Sequence, residues 1–119
     1  MSNTITRINT GIRLSDVSIH NGTVYLAGQV PRKTLDQGIE AQTAEVLATI
    51  DKLLAEAGSG KDRILSCQIF LADIGEIAGM NSVWDEWVAK GQCPSRATVQ
   101  AQLANPAWRV EIVITAAQA

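Results

Sequence analysis

The chain has 119 residues, 46% of them hydrophobic, and a net charge of −2. That length holds one domain, residues 1–119, with a core that buries roughly two thirds of the unfolded surface. Any site should be shallow or shared with a neighbouring copy. The acidic balance, without a run of like charge, excludes the basic stripe of a nucleic-acid binder. No stretch reaches the roughly 20 apolar residues of a membrane span.

The first residues, Met1 to Arg13, lack a charged-then-apolar leader pattern, which points to a cytoplasmic location. Cys67 and Cys93 read as free thiols in such a compartment.

In chain order, Thr4 to Asn9 alternates weakly and reads as a strand. Asp16 to His20 and Thr23 to Ala27 flank Asn21-Gly22, a strong hairpin signal. Gly28 to Gly38 is a loop punctuated by Pro31. From Ile39 the apolar period becomes helical, through Thr43, Val46 or Leu47, Ile50 and Leu53 or Leu54, and stops at Ala57-Gly58. Asp62 to Leu71 predicts a strand with Leu65, Cys67, Ile69 and Leu71 on one face. Asp73 opens a second helix through Ile77, Met80, Val83 or Trp84, and Trp87-Val88, closed by Gly91. Strands over Ala97 to Leu103 and Arg109 to Ala116, joined across Asn105-Pro106, finish the chain. The order β-β-β-α-β-α-β-β predicts an α+β domain: a mixed sheet with both helices on one face.

The last two strands predict how that sheet is used. Ala97, Val99, Ala101 and Leu103 on one, and Val110, Ile112 and Ile114 on the other, suit the helices. The opposite faces carry Thr98, Gln100 and Gln102, and Glu111, Val113 and Thr115. A mixed, mostly uncharged face of this kind suits contact with another subunit.

The strongest chemical cluster is Pro94-Ser95-Arg96-Ala97-Thr98. An arginine at a strand entry can turn its planar fork into a cleft and bind a carboxylate through two parallel hydrogen bonds. Its bland alternative is a surface salt bridge. Glu111, set among aliphatic residues, needs a partner or water. Arg96, Arg109 or a bound water could supply it, and a cross-strand Arg–Glu pair is the structural alternative. A carboxylate beside an Arg-bound substrate can orient water for attack on an electrophilic carbon. His20 is the only histidine and builds no metal site. Gly58-Ser59-Gly60-Lys61 lacks the first glycine and the final Ser/Thr of a phosphate loop, and it follows a helix. Trp84 and Trp87 read as helix-packing residues, and Trp108 as a cover for the interface edge.

Gly28-Gln29-Val30-Pro31 after a hairpin, Asn81 in the second helix, Pro94 to Val99, and Val110-Glu111-Ile112 together resemble the RidA/YjgF family of enamine/imine deaminases, over nearly the whole chain. Arg13 to His20 and Met80 to Trp87 are most similar to its YoaB-like branch. The resemblance implies a chorismate-mutase-like fold and a homotrimer with a central barrel and three clefts between subunits. It also implies hydrolysis of 2-aminoacrylate, 2-iminopropionate and related 2-imino acids to 2-oxo acids and ammonia, without a cofactor or metal. By the same resemblance Arg96 clamps the substrate carboxylate, the Thr98 backbone contacts it, Glu111 positions water, Gly28 lines the cleft, and Asn81 belongs to the site. Leu14 and Ala27 stand where archetypal members carry a tyrosine and a serine, and Val113 replaces a second acid. The pocket should therefore be more apolar and take broader or bulkier substrates. The alternative reading is a module that binds or senses small 2-oxo or imino acids in that intersubunit cleft without turnover. A nuclease or chaperone role, ascribed to some relatives, is a third; the absence of a basic stripe argues against the nuclease.

Overall fold

The computed structural model describes residues 4–119. In chain order the elements are β1 (Thr6–Thr10), β2 (Ser15–His20), β3 (Thr23–Leu26), α1 (Ile39–Glu56), β4 (Ile64–Leu71), α2 (Ile77–Trp87), β5 (Ser95–Gln100) and β6 (Val110–Ala117). Short 3₁₀ turns precede β4 and α2. The sheet is six-stranded, ordered β1-β2-β3-β6-β4-β5. Only the β4–β5 pair is parallel, and α2 supplies the crossover that a parallel pair needs.

Local chemistry sets these elements. Asn21 and Gly22 both adopt positive φ, 51° and 78°, as the two-residue hairpin between β2 and β3 requires. Gly58, at φ 75°, lets the chain leave α1. Asp73 Oδ1 accepts from Gly75 N at 2.8 Å and starts the turn into α2.

One face of the sheet is the core. Val17, Val24, Ile69, Leu71, Val110, Ile112 and Ile114 are fully buried, beneath Val46, Leu47, Ile50 and Leu54 of α1 and Met80 of α2. The β6 alternation matches the sequence expectation: each residue from Val110 to Ala116 on the even positions is buried.

Two face assignments are corrected. In β4, Leu65 is 52% exposed while Ile64 is buried. The register steps from Ile64↔Ala116 to Ser66↔Thr115, so Leu65 is the extra residue of a bulge, and strict alternation across it puts the wrong residue inside. In β5, which ends at Gln100 rather than Leu103, Val99 is 49% exposed. The parallel register sets Arg96 beside Cys67, Thr98 beside Ile69, and Gln100 beside Leu71. Those three β4 residues are buried, so Arg96, Thr98 and Gln100 share the helix face, and Ala97 and Val99 the open one. β5 is the sheet's edge, and its register follows β4 rather than its own apolar pattern.

Candidate functional site

The site residues expected from the sequence fall into two groups on opposite faces of the sheet. The first surrounds Glu111. Its neighbours Val110 and Ile112 are fully buried, so alternation turns the carboxylate to the open face. Where β3 stops, Gln29 takes up the sheet: Gln29 N donates to Ile112 O at 2.8 Å and Ile112 N to Gln29 O at 3.0 Å. Gly28 thereby lies against Glu111. A Cβ on Gly28 would stand 2.1 Å from Glu111 Oε2, so the carboxylate keeps this position only while residue 28 is glycine.

Gly28, Glu111 and Leu14 line one hollow of about 540 Å³. Val30, Pro31, Leu35 and Trp108 add apolar wall, and Asp16 and Arg32 add charge. Leu14, 59% exposed, widens that apolar wall as the sequence implies. Ala27 stands beside the hollow rather than in its wall. Its amide donates to Asp16 O at 2.9 Å, and its carbonyl accepts from Gln29 Nε2 at 2.9 Å.

The Glu111 carboxylate has no hydrogen bond or ion pair among the described residues. Arg109, one of its candidate partners, instead pairs with Glu76, Nη1 to Oε2 at 2.9 Å. Arg96, the other, is on the far face of the sheet. The structural Arg–Glu pair across strands is therefore absent among the described residues.

The second group surrounds Arg96. Its guanidinium lies over the Trp84 ring of α2, 5.2 Å from the centroid, and makes no hydrogen bond or ion pair among the described residues. The surface salt bridge is thus excluded within the described chain. Thr98, two residues along the same face, has a buried hydroxyl without a partner, and Asn81, one turn before Trp84 on α2, has a buried Oδ1 without one. Cys67, in register with Arg96, is buried. Burial pushes its thiol up to about 12, against the opposing pull of the Arg96 charge.

The sequence reading missed the supports of the hollow. Gln42 of α1, fully buried, ties together the two loops that wall it. Its Nε2 donates to Thr34 O at 3.2 Å, Gln37 O at 3.3 Å and Ala107 O at 3.0 Å, and its Oε1 accepts from Arg109 N at 2.8 Å. Glu45 accepts from the amides of Arg32, Lys33 and Thr34 and from the Thr34 hydroxyl. Burial raises the Glu45 carboxyl, but the bonds from Thr34, Arg32 and Lys33 together outweigh it and hold it below its ordinary 4.5. The signal for Gln42 was a polar residue at core phase between Ile39 and Val46. Asp16 and Arg32 carried no signal, because loop geometry places them.

Among the described residues, no group of three or more His, Cys, Asp or Glu could hold a metal ion. No helix there is long and apolar enough to cross a membrane.

Comparison with known proteins adds the family. The family described as Endoribonuclease L-PSP matches residues 4–118. A RutC family protein of Haemophilus influenzae is 58% identical over 113 residues, covering 95% of this chain and 97% of that protein. The RutC family protein YoaB of Escherichia coli K12 is 52% identical over 114 residues, covering 96% and 98%. Among solved structures, a YjgF family protein of Neisseria meningitidis superposes with a TM-score of 0.95 at 47% identity, covering 98% of this chain and 97% of its own. In sequence and in fold, the chain belongs to the YjgF/RidA family, also described as Endoribonuclease L-PSP.

Proposed function

We propose that this protein hydrolyses 2-imino acids, formed from enamines such as 2-aminoacrylate, to 2-oxo acids and ammonia. One observation carries the reading: a carboxylate without a partner and a guanidinium without an anion lie on opposite faces of one sheet. Each half is chemically incomplete in a single chain. A homotrimer closes the site by setting Arg96 of one copy over the Glu111 hollow of the next. The helix-free face, which carries Tyr25 and Val99 about half exposed and Phe70 and Val113 partly buried, is the surface that such copies share.

In that cleft Arg96 holds the substrate carboxylate through two parallel hydrogen bonds, with Thr98 and Asn81 beside it. Glu111 accepts a proton from water as the water oxygen attacks the imine carbon. That proton passes to nitrogen, giving a carbinolamine; Glu111 then takes the hydroxyl proton and returns it to nitrogen as the C–N bond breaks, so ammonia leaves and the carbonyl of the 2-oxo acid forms. Imines hydrolyse readily in water, so positioning plus one general base, about 10²- to 10⁴-fold, is enough. Leu14 and the hollow's other apolar walls favour side chains larger than methyl.

The test generates 2-aminoacrylate with a dehydratase and follows imine loss. Arg96→Ala should return the rate to background; a rate equal to wild type defeats the proposal. Glu111→Gln should retain 2-oxobutyrate binding and lose the rate. Saturable binding with no acceleration in the wild type would instead establish the non-catalytic binding module. Co-expression of Arg96→Ala with Glu111→Gln provides a second arm. Mixed trimers contain a cleft with one intact Arg96 and one intact Glu111, so activity should reappear; none would reappear if both groups came from the same chain.

A further inference from the structure

We infer that Trp84 is a positioning residue for Arg96: its ring face fixes the guanidinium so that the N–H edge is presented, unspent, to a carboxylate. The inference rests on the proposed role of Arg96 as the carboxylate clamp. It begins from the way the guanidinium is satisfied. A planar guanidinium has two kinds of surface, a face that stacks on aromatic rings and an edge of N–H donors that binds oxyanions. Here the guanidinium carbon lies over the Trp84 ring, 5.2 Å from its centroid, and the N–H donors have no hydrogen bond or ion pair among the described residues. An arginine held by a carboxylate would have spent the edge that a ligand needs. One held by nothing would have to order a long side chain on binding. Seating over the Trp84 ring avoids both.

The ring is itself held. Trp84 is 5% exposed and meets Trp87 at 5.4 Å between centroids, tilted by 50°. Trp87 Nε1 donates to Asp51 Oδ2 of α1 at 2.9 Å, and Lys61 Nζ lies 5.7 Å over the Trp87 ring. From Asp51 through Trp87 and Trp84, the helix layer reaches the exposed edge strand β5 and sets the pose of its arginine. A tryptophan that served only to fill the core would need no cation on its ring.

The first test uses the unmodified protein. The Arg96 Nε–Hε resonance, assigned by its loss in Arg96→Lys, should lie upfield of the other arginines through the ring current of Trp84. A resonance at the ordinary exposed-arginine position overturns the inference. The second test compares Trp84→Phe with Trp84→Leu, each first checked for its thermal midpoint. Both keep an apolar side chain, and only the first keeps an aromatic face. Trp84→Phe should retain the upfield shift and bind 2-oxobutyrate within about twofold of wild type. Trp84→Leu should lose the shift and weaken 2-oxobutyrate binding and raise KM by about 3- to 10-fold, the equivalent of one cation–π contact, with kcat changed by less than about twofold. Equal weakening in both variants, or none in a folded Trp84→Leu, overturns it. If the wild type binds no 2-oxobutyrate and accelerates no imine, the proposed function fails, while the resonance still reports separately whether Trp84 holds Arg96.

Discussion

Replacing Gln42 with leucine tests whether one buried amide holds both walls of the Glu111 hollow. The side chain is fully buried and serves Thr34 O, Gln37 O, Ala107 O and Arg109 N. Leucine nearly matches its volume, so packing is preserved and the hydrogen bonds are removed. The two shortest, to Ala107 O and from Arg109 N, join the hub to residues 65 and 67 positions away. Each partner left unsatisfied costs about 1–3 kcal/mol. The longer bonds, to Thr34 O and the exposed Gln37, are partly replaced by water. A buried leucine returns about 1.5–3 kcal/mol of apolar burial. At the middle of these ranges about 4 kcal/mol is lost and about 2 returned, a net loss of about 2 kcal/mol, or on the order of 10 °C in Tm for a domain of this size. Calorimetry of Gln42→Leu measures that loss, and amide exchange should be faster at Arg109 than at Ile112. A variant as stable as wild type, with Arg109 still protected, would refute the hub.

Three further outcomes are expected. The depressed Glu45 carboxyl contributes stability that is complete above its ordinary 4.5 and is lost as pH falls through its folded value. Wild type should therefore lose more stability than Glu45→Gln between pH 6 and pH 3, both on the order-of-magnitude scale set by model carboxylates, as read by thermal melts. In the native protein at about pH 8, a maleimide should label the exposed Cys93 and spare Cys67, which is buried and pushed up to about 12, because the thiolate is the reactive form and must be reached; mass spectrometry of the labelled peptides decides it. Gly28→Ala sets a methyl where Glu111 Oε2 now lies. Because the yielding atoms end a flexible side chain, its Tm should fall by less than about 5 °C while imine hydrolysis drops at least about tenfold, measured in the dehydratase-coupled assay.

Where period and turn chemistry acted locally, the sequence was readable. Asn21-Gly22, the stripe from Ile39 to Leu54, and the alternation of Val110, Ile112 and Ile114 all lie where they were expected. The failures were at non-local constraints. Leu65 was given the face of Ile64 because a bulge is a property of the β4–β6 pair. Val99 was given the helix side because the parallel register with β4 is not written in β5 itself. Glu111, Gly28 and Leu14 were placed in one site by resemblance, and the fold does bring them together. That resemblance could not say that Arg96 faces the other way in the same chain. Nor could spacing reveal Gln42 as a hub, since its partners lie in loops whose paths depend on the whole fold.

The alternation of β6 has a consequence for how this chain can change over evolutionary time. Ile112 and Ile114 are fully buried, while Glu111, Val113 and Thr115, which alternate with them, are only partly so. Point replacements at Val113 or Thr115 can retune the open side without disturbing the interior. A single inserted or deleted codon in this strand would exchange the two sets, sending a carboxylate inward and isoleucines outward. Divergence along β6 should therefore proceed by substitution at fixed length, with gains and losses of residues confined to the connecting segments.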